Sequence, residues 1–191
     1  MQRKRKLFPL ALEFHLHLKM ADLSNWKGCP RPEHKVLNGE YCTLEPLDIP
    51  KHAESLYAAA VAPGMEDRHR WLPFDAPSDF NDFKHWMDDS INNKDGSLFY
   101  SVVDKNTGNA EGRLALISVD PANGTIEFGQ VQWGPKLERS RAASEAFYLC
   151  ADYIFSLGYR RFVWRCNESN EPSIRAAVRL GFQYEGSCLL Y

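Results

Sequence analysis

The sequence lacks the signatures that identify most metal, redox and dinucleotide-binding proteins. Its five cysteines include no CxxC pair and its six histidines no HExxH motif, so neither a zinc site nor a redox dithiol is indicated. No GxGxxG follows a strand pattern, and this argues against a dinucleotide-binding oxidoreductase. We therefore expect no metal ion and no nicotinamide cofactor.

Net charge and long apolar runs are also scarce. The formal net charge is −2, so no overall field attracts the chain to nucleic acid or to an anionic membrane. No apolar run approaches the roughly 18 residues of a membrane-spanning helix. Scattered cysteines in odd number, with no evident secretory signal, predict reduced thiols and a cytoplasmic location.

What is present is an ordinary globular composition of one-domain length. The chain has 191 residues, of which 44% are hydrophobic and 25% charged, as in a folded domain. A basic start and a short apolar run broken by Pro9 and Glu13 resemble no complete targeting peptide. We predict a poorly ordered extension over 1–34, in which Met20 is an alternative start, and one domain over 35–191.

The first half of that domain predicts two helices and a meander. Asp48 and Ser78 each precede a stretch with helical apolar spacing, and both are good N-cap residues. Three β-rich runs follow, separated by two strong hairpin turns; the runs lie at 98–103, 112–119 and 125–133.

The second half predicts two helix-to-strand units. A helical stripe from Ala142 closes at Gly158, a strand follows around Val163, and Asn170 opens a last helix that closes at Gly181. The sequence therefore predicts an α+β domain with a central, mixed, mostly antiparallel twisted sheet flanked by helices.

Two segments carry candidate chemistry. The first runs from Trp133 to Ala146, where a strand leads into a helix start built of small residues and arginines. Free amides in a first helical turn suit a pyrophosphate, and Arg139 and Arg141 can add charged contacts. An ordinary solvated helix start fits the same residues. The second segment, from Tyr159 to Phe182, joins a polar strand end to a helix and also fits a simple cap by Asn170.

Together, the motifs Ile126–Gly129, Arg139–Ala146, Leu157–Arg161 and Asn170-x-x-Ser173 with Leu180–Phe182 resemble the GCN5-related N-acetyltransferase (GNAT) superfamily. The closer likeness is to its branch of RimJ/RimL-type ribosomal-protein N-terminal acetyltransferases. The resemblance extends from about Gly39 to Gly186.

This resemblance implies the GNAT fold, acetyl-CoA as co-substrate and direct attack by an amine in a ternary complex. The amine would belong to a small molecule or to a protein N-terminus. The pantetheine arm would pair with the backbone of Val131, Gln132 and Trp133, and Asn170 would bond the arm or an active-site water. The pyrophosphate would lie on Arg139, Ser140, Arg141, Ala142, Ala143 and Ser144.

The resemblance also implies catalytic residues. Glu127 matches a carboxylate used as general base through water, although a solvent-facing strand carboxylate is an equal alternative. Ser173 matches a serine that protonates the departing thiolate. Ala177 stands where many members carry a tyrosine, and Tyr184 is the second candidate acid.

Two departures from the family pattern bear on activity. Glu138 and Arg141 replace specified residues of the pyrophosphate signature, whereas Ala143 keeps its place. After Gly186 the family continues through a hairpin, and we expect a C-terminally truncated domain whose last strands are missing. Such a sheet would leave an unpaired edge that favours self-association, including a homodimer. The alternative function is a catalytically impaired acyl-CoA-binding protein.

The acceptor side is expected in the stretch from Met65 to Asp89. Carboxylates among aromatic rings could hold a cationic amine, but a solvated acidic surface over core aromatics is the simpler interpretation. The residues concerned are Glu66, Asp67, Trp71, Phe74, Asp75, Asp79, Phe80, Asp82, Trp86, Asp88 and Asp89.

Overall fold

The chain folds around one mixed β-sheet. A computed structural model describes residues 11–17 and 23–188. The strands are β1 (Ala11–His17), β2 (Leu37–Asn38), β3 (Cys42–Pro46), β4 (Leu98–Asp104), β5 (Ala110–Asp120), β6 (Thr125–Trp133), β7 (Arg161–Asn167) and β8 (Gln183–Cys188). Among the described residues they form one eight-stranded sheet in the order β2-β3-β4-β5-β6-β7-β1-β8.

Four α-helices and one 3-10 helix flank the sheet in the described part of the chain. They are α1 (Ile49–Ala60), the 3-10 helix Glu66–Trp71 (the 66–71 helix), α2 (Phe80–Ile91), α3 (Arg141–Ser156) and α4 (Glu171–Arg179). The α+β class and the mixed, mostly antiparallel sheet predicted from the sequence are confirmed.

The helix starts follow their capping residues. The Asp48 carboxylate accepts a hydrogen bond from the Lys51 amide at 2.8 Å, as predicted. The Ser78 cap is wrong by one residue. Asp79 is the N-cap of α2 and accepts from the Asp82 amide at 2.8 Å. The Ser78 amide instead donates to the Asp82 carboxylate at 2.9 Å, so the two aspartates satisfy helix-start donors reciprocally.

Two hydrophobic cores lie on opposite faces of the sheet. Tyr100 and Phe128 belong to the core beneath α3, and Phe99 and Ala115 belong to the core beneath α1 and α2. Neighbouring residues of one strand enter different cores because successive side chains point to opposite faces. Both faces of the central strands are therefore covered.

The strand β1 lies between β7 and β8 and is antiparallel to both. Phe14 is opposite Trp164 of β7 and opposite Tyr184 of β8. The sequence predicted that the last strands are missing and that an edge is left unpaired, and the truncation stays a prediction. Among the described residues β7 has a partner on each side, because a strand from the N-terminal segment pairs with it. The outer strand on this side of the sheet is β8, and on the opposite side it is β2.

His17 and Trp26, which lie before and after residues 18–22, contact the same end of the sheet. His17 is opposite Arg161 at the start of β7. The indole N–H of Trp26 donates to the Ala122 carbonyl at 2.7 Å, and the Arg160 guanidinium lies 5.9 Å from the Trp26 ring centroid.

The segment before residue 35 contacts the domain elsewhere too. The Cys29 amide donates to the Pro121 carbonyl at 3.0 Å, and the Glu33 amide donates to the Tyr153 hydroxyl at 2.8 Å. The division into an extension over 1–34 and a domain over 35–191 stays a prediction, as does the homodimer. Residues 1–10 and Met20 lie outside the described residues.

Phe14→Pro tests the insertion of β1. An interior strand gives each backbone N–H to one neighbour or the other, and proline removes that donor. We expect Phe14→Pro to unfold roughly 2–10 °C below Phe14→Ala, the matched control that keeps the backbone donor. Calorimetry of both variants makes the measurement, and equal melting temperatures would show that β1 is not paired in solution.

Candidate active site

The cleft of the molecule opens where β6 and β7 separate. These parallel strands pair only at Thr125↔Arg161, Ile126↔Phe162 and Glu127↔Val163. A β-bulge then shifts the register of β6 against β5, and Gln130 has a left-handed backbone with φ 50°. Because a bulge bends its strand, β6 diverges from β7 and leaves backbone groups of both strands facing a gap.

A cavity of about 220 Å³ occupies this gap. Five predicted site residues line it, namely Val131, Gln132, Trp133, Asn170 and Ser173. The other lining residues belong to the end of β6, the end of β7, the helix α4, and the 66–71 helix with Leu72 after it. They are Arg68, Trp71, Leu72, Phe128, Gly129, Gln130, Trp164, Arg165, Cys166, Pro172 and Ala176.

The start of α4 places Asn170 and Ser173 on one side of the cavity. The Asn170 side-chain carbonyl accepts from the Ser173 amide at 3.3 Å, as an N-cap. The Trp164 indole N–H donates to the Ser173 hydroxyl oxygen at 2.9 Å. Since a hydroxyl has one proton of its own to donate, Ser173 accepts from Trp164 and can still donate towards the cavity.

Cys166 lies beside Ser173 on the cavity wall. Burial raises the pKa of the Cys166 thiol, and a hydrogen bond from Ser173 lowers it in part. No sequence signal singles out this residue, because the motif that identifies Asn170 and Ser173 does not specify it.

Glu127 is in the sheet but does not line the cavity. The residue is 7% exposed. Its carboxylate accepts a hydrogen bond from the Ser118 hydroxyl at 3.2 Å and forms an ion pair with Arg165. Arg165 does line the cavity. The charged group that faces the cavity here is therefore the Arg165 guanidinium. The alternation of side chains along β7 could have predicted that Arg165 lies on the same face of the sheet as Glu127.

The start of α3 is the place where the sequence predicts an anion site. Ser140 is the N-cap, and its hydroxyl accepts from the Ala143 amide at 3.1 Å. Arg139, just before it, has a left-handed backbone with φ 56°, which turns the chain into the helix. Ala142 is buried in the core, so its part in an anion site would be through its backbone.

A shallow depression beside this helix start gathers four of the predicted residues. Arg139, Ser140, Arg141 and Ser144 line it together with Tyr41, Glu145 and Tyr148. The Glu145 carboxylate accepts from the amides of three consecutive residues at 2.6 to 2.8 Å, those of Glu40, Tyr41 and Cys42. The Glu145 carboxylate is thus bound by backbone N–H donors. The other charged side chains that line the depression are those of Arg139 and Arg141.

Arg179 is a further cation at this place. It belongs to the last turn of α4, and its guanidinium lies 3.5 Å from the Ser144 hydroxyl. No sequence signal connected it with Ser144, because the two residues belong to different helices that meet only in the tertiary structure.

The acidic acceptor surface expected between Met65 and Asp89 does not form the cavity wall. No Asp or Glu is among the cavity-lining residues of the described chain. Asp79 and Asp82 cap α2, and Asp88 accepts from the Asn92 amide group. Phe74, Phe80 and Trp86 pack in or against the core beneath α1 and α2. Of the expected set, Trp71 alone lines the cavity. The other aromatic side chains named here pack in or against the core, and the aspartates named here form hydrogen bonds at the ends of α2.

Two other searches of the described residues are negative. No group of three or more His, Cys, Asp or Glu is arranged to hold a metal ion within residues 11–17 and 23–188. No helix there combines the length and apolar character needed to cross a membrane.

Ser173→Ala tests the hydrogen bond to Cys166. Removing the donor raises the pKa of the thiol further, so less thiolate exists at any pH below that value. We expect alkylation of Cys166 by iodoacetamide at pH 8 to slow by about two- to tenfold. Mass spectrometry follows the site, with Cys29 in the same sample as the reference. An unchanged rate for Cys166 would contradict the contact.

Comparison with known proteins agrees with this geometry. A family model described as an acetyltransferase (GNAT) domain matches residues 42–183. No curated protein matches. A GCN5-related N-acetyltransferase from Brucella melitensis is similar at 45% identity and TM-score 0.83, over 86% of this chain and 74% of its own.

Two further solved structures are similar. A protein described as a probable GNAT-family acetyltransferase from Chromobacterium violaceum is 33% identical with TM-score 0.78, over 90% of this chain and 85% of its own. The RimL ribosomal L7/L12 α-N-protein acetyltransferase shares the fold at 20% identity and TM-score 0.66, over 83% and 87% of the two chains.

The predicted GNAT family is thus confirmed, and the RimL structure shares its fold. With the parted strands, the arginine-bearing helix start and the family match over most of its length, the chain belongs to the GNAT family of acetyl-CoA-dependent acetyltransferases.

Proposed function

We propose that the protein transfers an acetyl group from acetyl-CoA to a primary amine, of a small molecule or a protein N-terminus, by direct attack in a ternary complex. The observation that carries this proposal is the parting of β6 from β7 after Glu127 and Val163. It exposes backbone donors and acceptors beside a cavity, and such groups need partners. A pantetheine arm carries amides that can pair with them.

The cofactor would extend from this gap to the start of α3. In the proposal, the backbone of Val131, Gln132 and Trp133 pairs with the pantetheine arm, and Asn170 contacts it from the other side. The pyrophosphate lies on the helix start, where the amides of the first turn that Ser140 does not cap, together with the helix dipole, favour an anion. Its residues are Arg139, Ser140, Arg141, Ala142, Ala143 and Ser144.

The reaction then needs an oxyanion donor and an acid. The neutral amine attacks the thioester carbonyl, the carbon–nitrogen bond forms, and the carbon–sulfur bond breaks to release a thiolate. The Val131 amide is the proposed donor to the developing oxyanion. Ser173 is the proposed acid, supported by its position on the cavity wall and by the Trp164 bond, which uses only its acceptor side. Its proton, which faces the Cys166 thiol in the resting protein, would turn to the departing thiolate.

Glu127 is the proposed general base, acting through water. Its ion pair with Arg165, which lines the cavity, places the carboxylate one side chain away from the gap. The same ion pair and the position outside the cavity lining favour a second candidate function, an acyl-CoA-binding protein with little turnover. Release of free CoA from acetyl-CoA, measured with a thiol reagent and a panel of amines, decides between the two.

Neutralising Arg139 and Arg141 tests the cofactor site. We expect the double variant Arg139→Met with Arg141→Met to bind CoA about 10- to 100-fold more weakly, because charge-assisted bonds to phosphate are lost. Isothermal titration calorimetry with CoA gives the affinity. Arg175→Met is the matched control, since Arg175 is an exposed arginine that pairs with Glu171. Equal affinities of all three proteins would exclude this pyrophosphate site.

Glu127→Gln tests the base. If Glu127 removes the amine proton, kcat falls by about 10²- to 10⁴-fold while CoA affinity changes little. Arg165→Met is the companion variant, because it breaks the same ion pair but keeps the carboxylate. A comparable loss of kcat in both variants would assign Glu127 to holding Arg165, and an unchanged kcat in Glu127→Gln would remove it from the mechanism.

A further inference from the structure

The side chain of Gln132 joins two parts of the molecule that form different walls of the cavity. Gln132 is 7% exposed and belongs to β6. Arg113 Nε donates to Gln132 Oε1 at 2.9 Å, and Gln132 Nε2 lies 2.8 Å from His69 Nε2. The backbone of Gln132 belongs to the strand beside the cofactor gap, while its side chain reaches the 66–71 helix.

The polarity of these contacts is fixed by Arg113. A guanidinium has no acceptor, so the Gln132 atom that meets it must be the carbonyl oxygen. The Gln132 amino group therefore points to His69 and donates to it. His69 Nε2 must carry a lone pair, which requires a neutral imidazole with its proton on Nδ1.

Arg113 is itself held by aromatic rings. It is 3% exposed, and its guanidinium lies 3.7 Å from the Trp86 ring centroid and 4.9 Å from that of Phe74. These distances are typical of cation–π contacts. The side-chain carbonyl of Gln132 thus accepts from a donor that the aromatic rings hold in place. The core beneath α1 and α2 therefore determines where the Gln132 side chain points.

The 66–71 helix needs such an external contact. It has six residues and no side-chain N-cap bond, and a 3-10 helix of this length has poor internal hydrogen-bond geometry. His69 is its buried residue. Arg68 and Trp71, on either side of His69, line the cavity, and Arg68 also pairs with Glu138 before α3.

We infer that Gln132 and His69 are a positioning pair that holds the 66–71 helix, with Arg68 and Trp71, against the mouth of the cofactor cleft. The inference rests on the proposed function only in taking that mouth as the place where the amine meets acetyl-CoA. The pair fixes the acceptor-side wall to the strand that binds the cofactor. Its loss acts on the acceptor KM rather than on cofactor affinity.

Hydrogen–deuterium exchange of the full chain gives the direct measurement. His69→Ala removes the contact without removing the partner of Arg113, and Gln132→Met removes both hydrogen bonds. We expect backbone amides of residues 66–72 to exchange about tenfold faster or more in both variants, while those of α2 remain unchanged. His69→Ala keeps the measurement decisive if Gln132→Met fails to fold.

Rescue and a matched control separate positioning from general destabilisation. Gln132→Glu still accepts from Arg113 and can accept from a His69 Nε2–H, so we expect exchange within about threefold of the native chain. Asn93→Ala is the control, because Asn93 bonds Ser90, Ser97 and no residue of the cavity wall. The inference is overturned by unchanged exchange in His69→Ala, by equal acceleration in Asn93→Ala, or by Gln132→Glu behaving like Gln132→Met.

The kinetic test uses the amine from the panel that gives the fastest CoA release. We expect His69→Ala to raise the KM for that amine by about fivefold or more, with the Kd for acetyl-CoA within about twofold. A rise in Kd with an unchanged KM would contradict the pair's role at the acceptor wall. If no amine is acetylated, the proposed function fails, and the exchange measurement still decides the positioning pair.

Discussion

The parting of β6 and β7 is the constraint on which the site depends. Two parallel strands that paired along their whole length would satisfy one another's backbone groups and leave nothing for a cofactor. Here pairing stops after Glu127 and Val163, where the bulge around Gln130 bends β6 away. The cavity, the start of α4 and the start of α3 are all arranged around this gap.

The polar contacts around the gap connect its two walls to the rest of the sheet. On one side Glu127 holds Arg165, and on another Gln132 joins Arg113 to His69. A buried polar group with a partner fixes the position of both residues, since leaving either without one costs free energy. The core beneath α1 and α2 is thus connected to the cavity wall through Arg113 and Gln132. The sequence does not show that these side chains are neighbours.

The sequence predicted the class of fold and the family because both depend on local patterns. Alternating runs and turn residues identified the meander, and helical spacing with Asp48 and Asn170 located the starts of α1 and α4. The motifs around Arg139 and Asn170 predicted the cofactor side, since each is a contiguous segment. The sequence did not predict the place of β1 between β7 and β8, nor the aspartates that cap α2. Several strands could pair at one place and several residues could cap one helix, and a local pattern does not decide between them.

What the sequence determined by itself was therefore the four α-helices, the central strands, the family and the residues of each motif, but not β1 or the 66–71 helix. Only the tertiary structure decided which side chains meet: Glu127 with Arg165, Ser173 with Trp164, Gln132 with His69, and Ser144 with Arg179. The physical reason is that periodicity and capping act over a few residues of chain. Charge pairing and hydrogen bonding across the cleft depend instead on where a bulge bends one strand and which core holds each side chain.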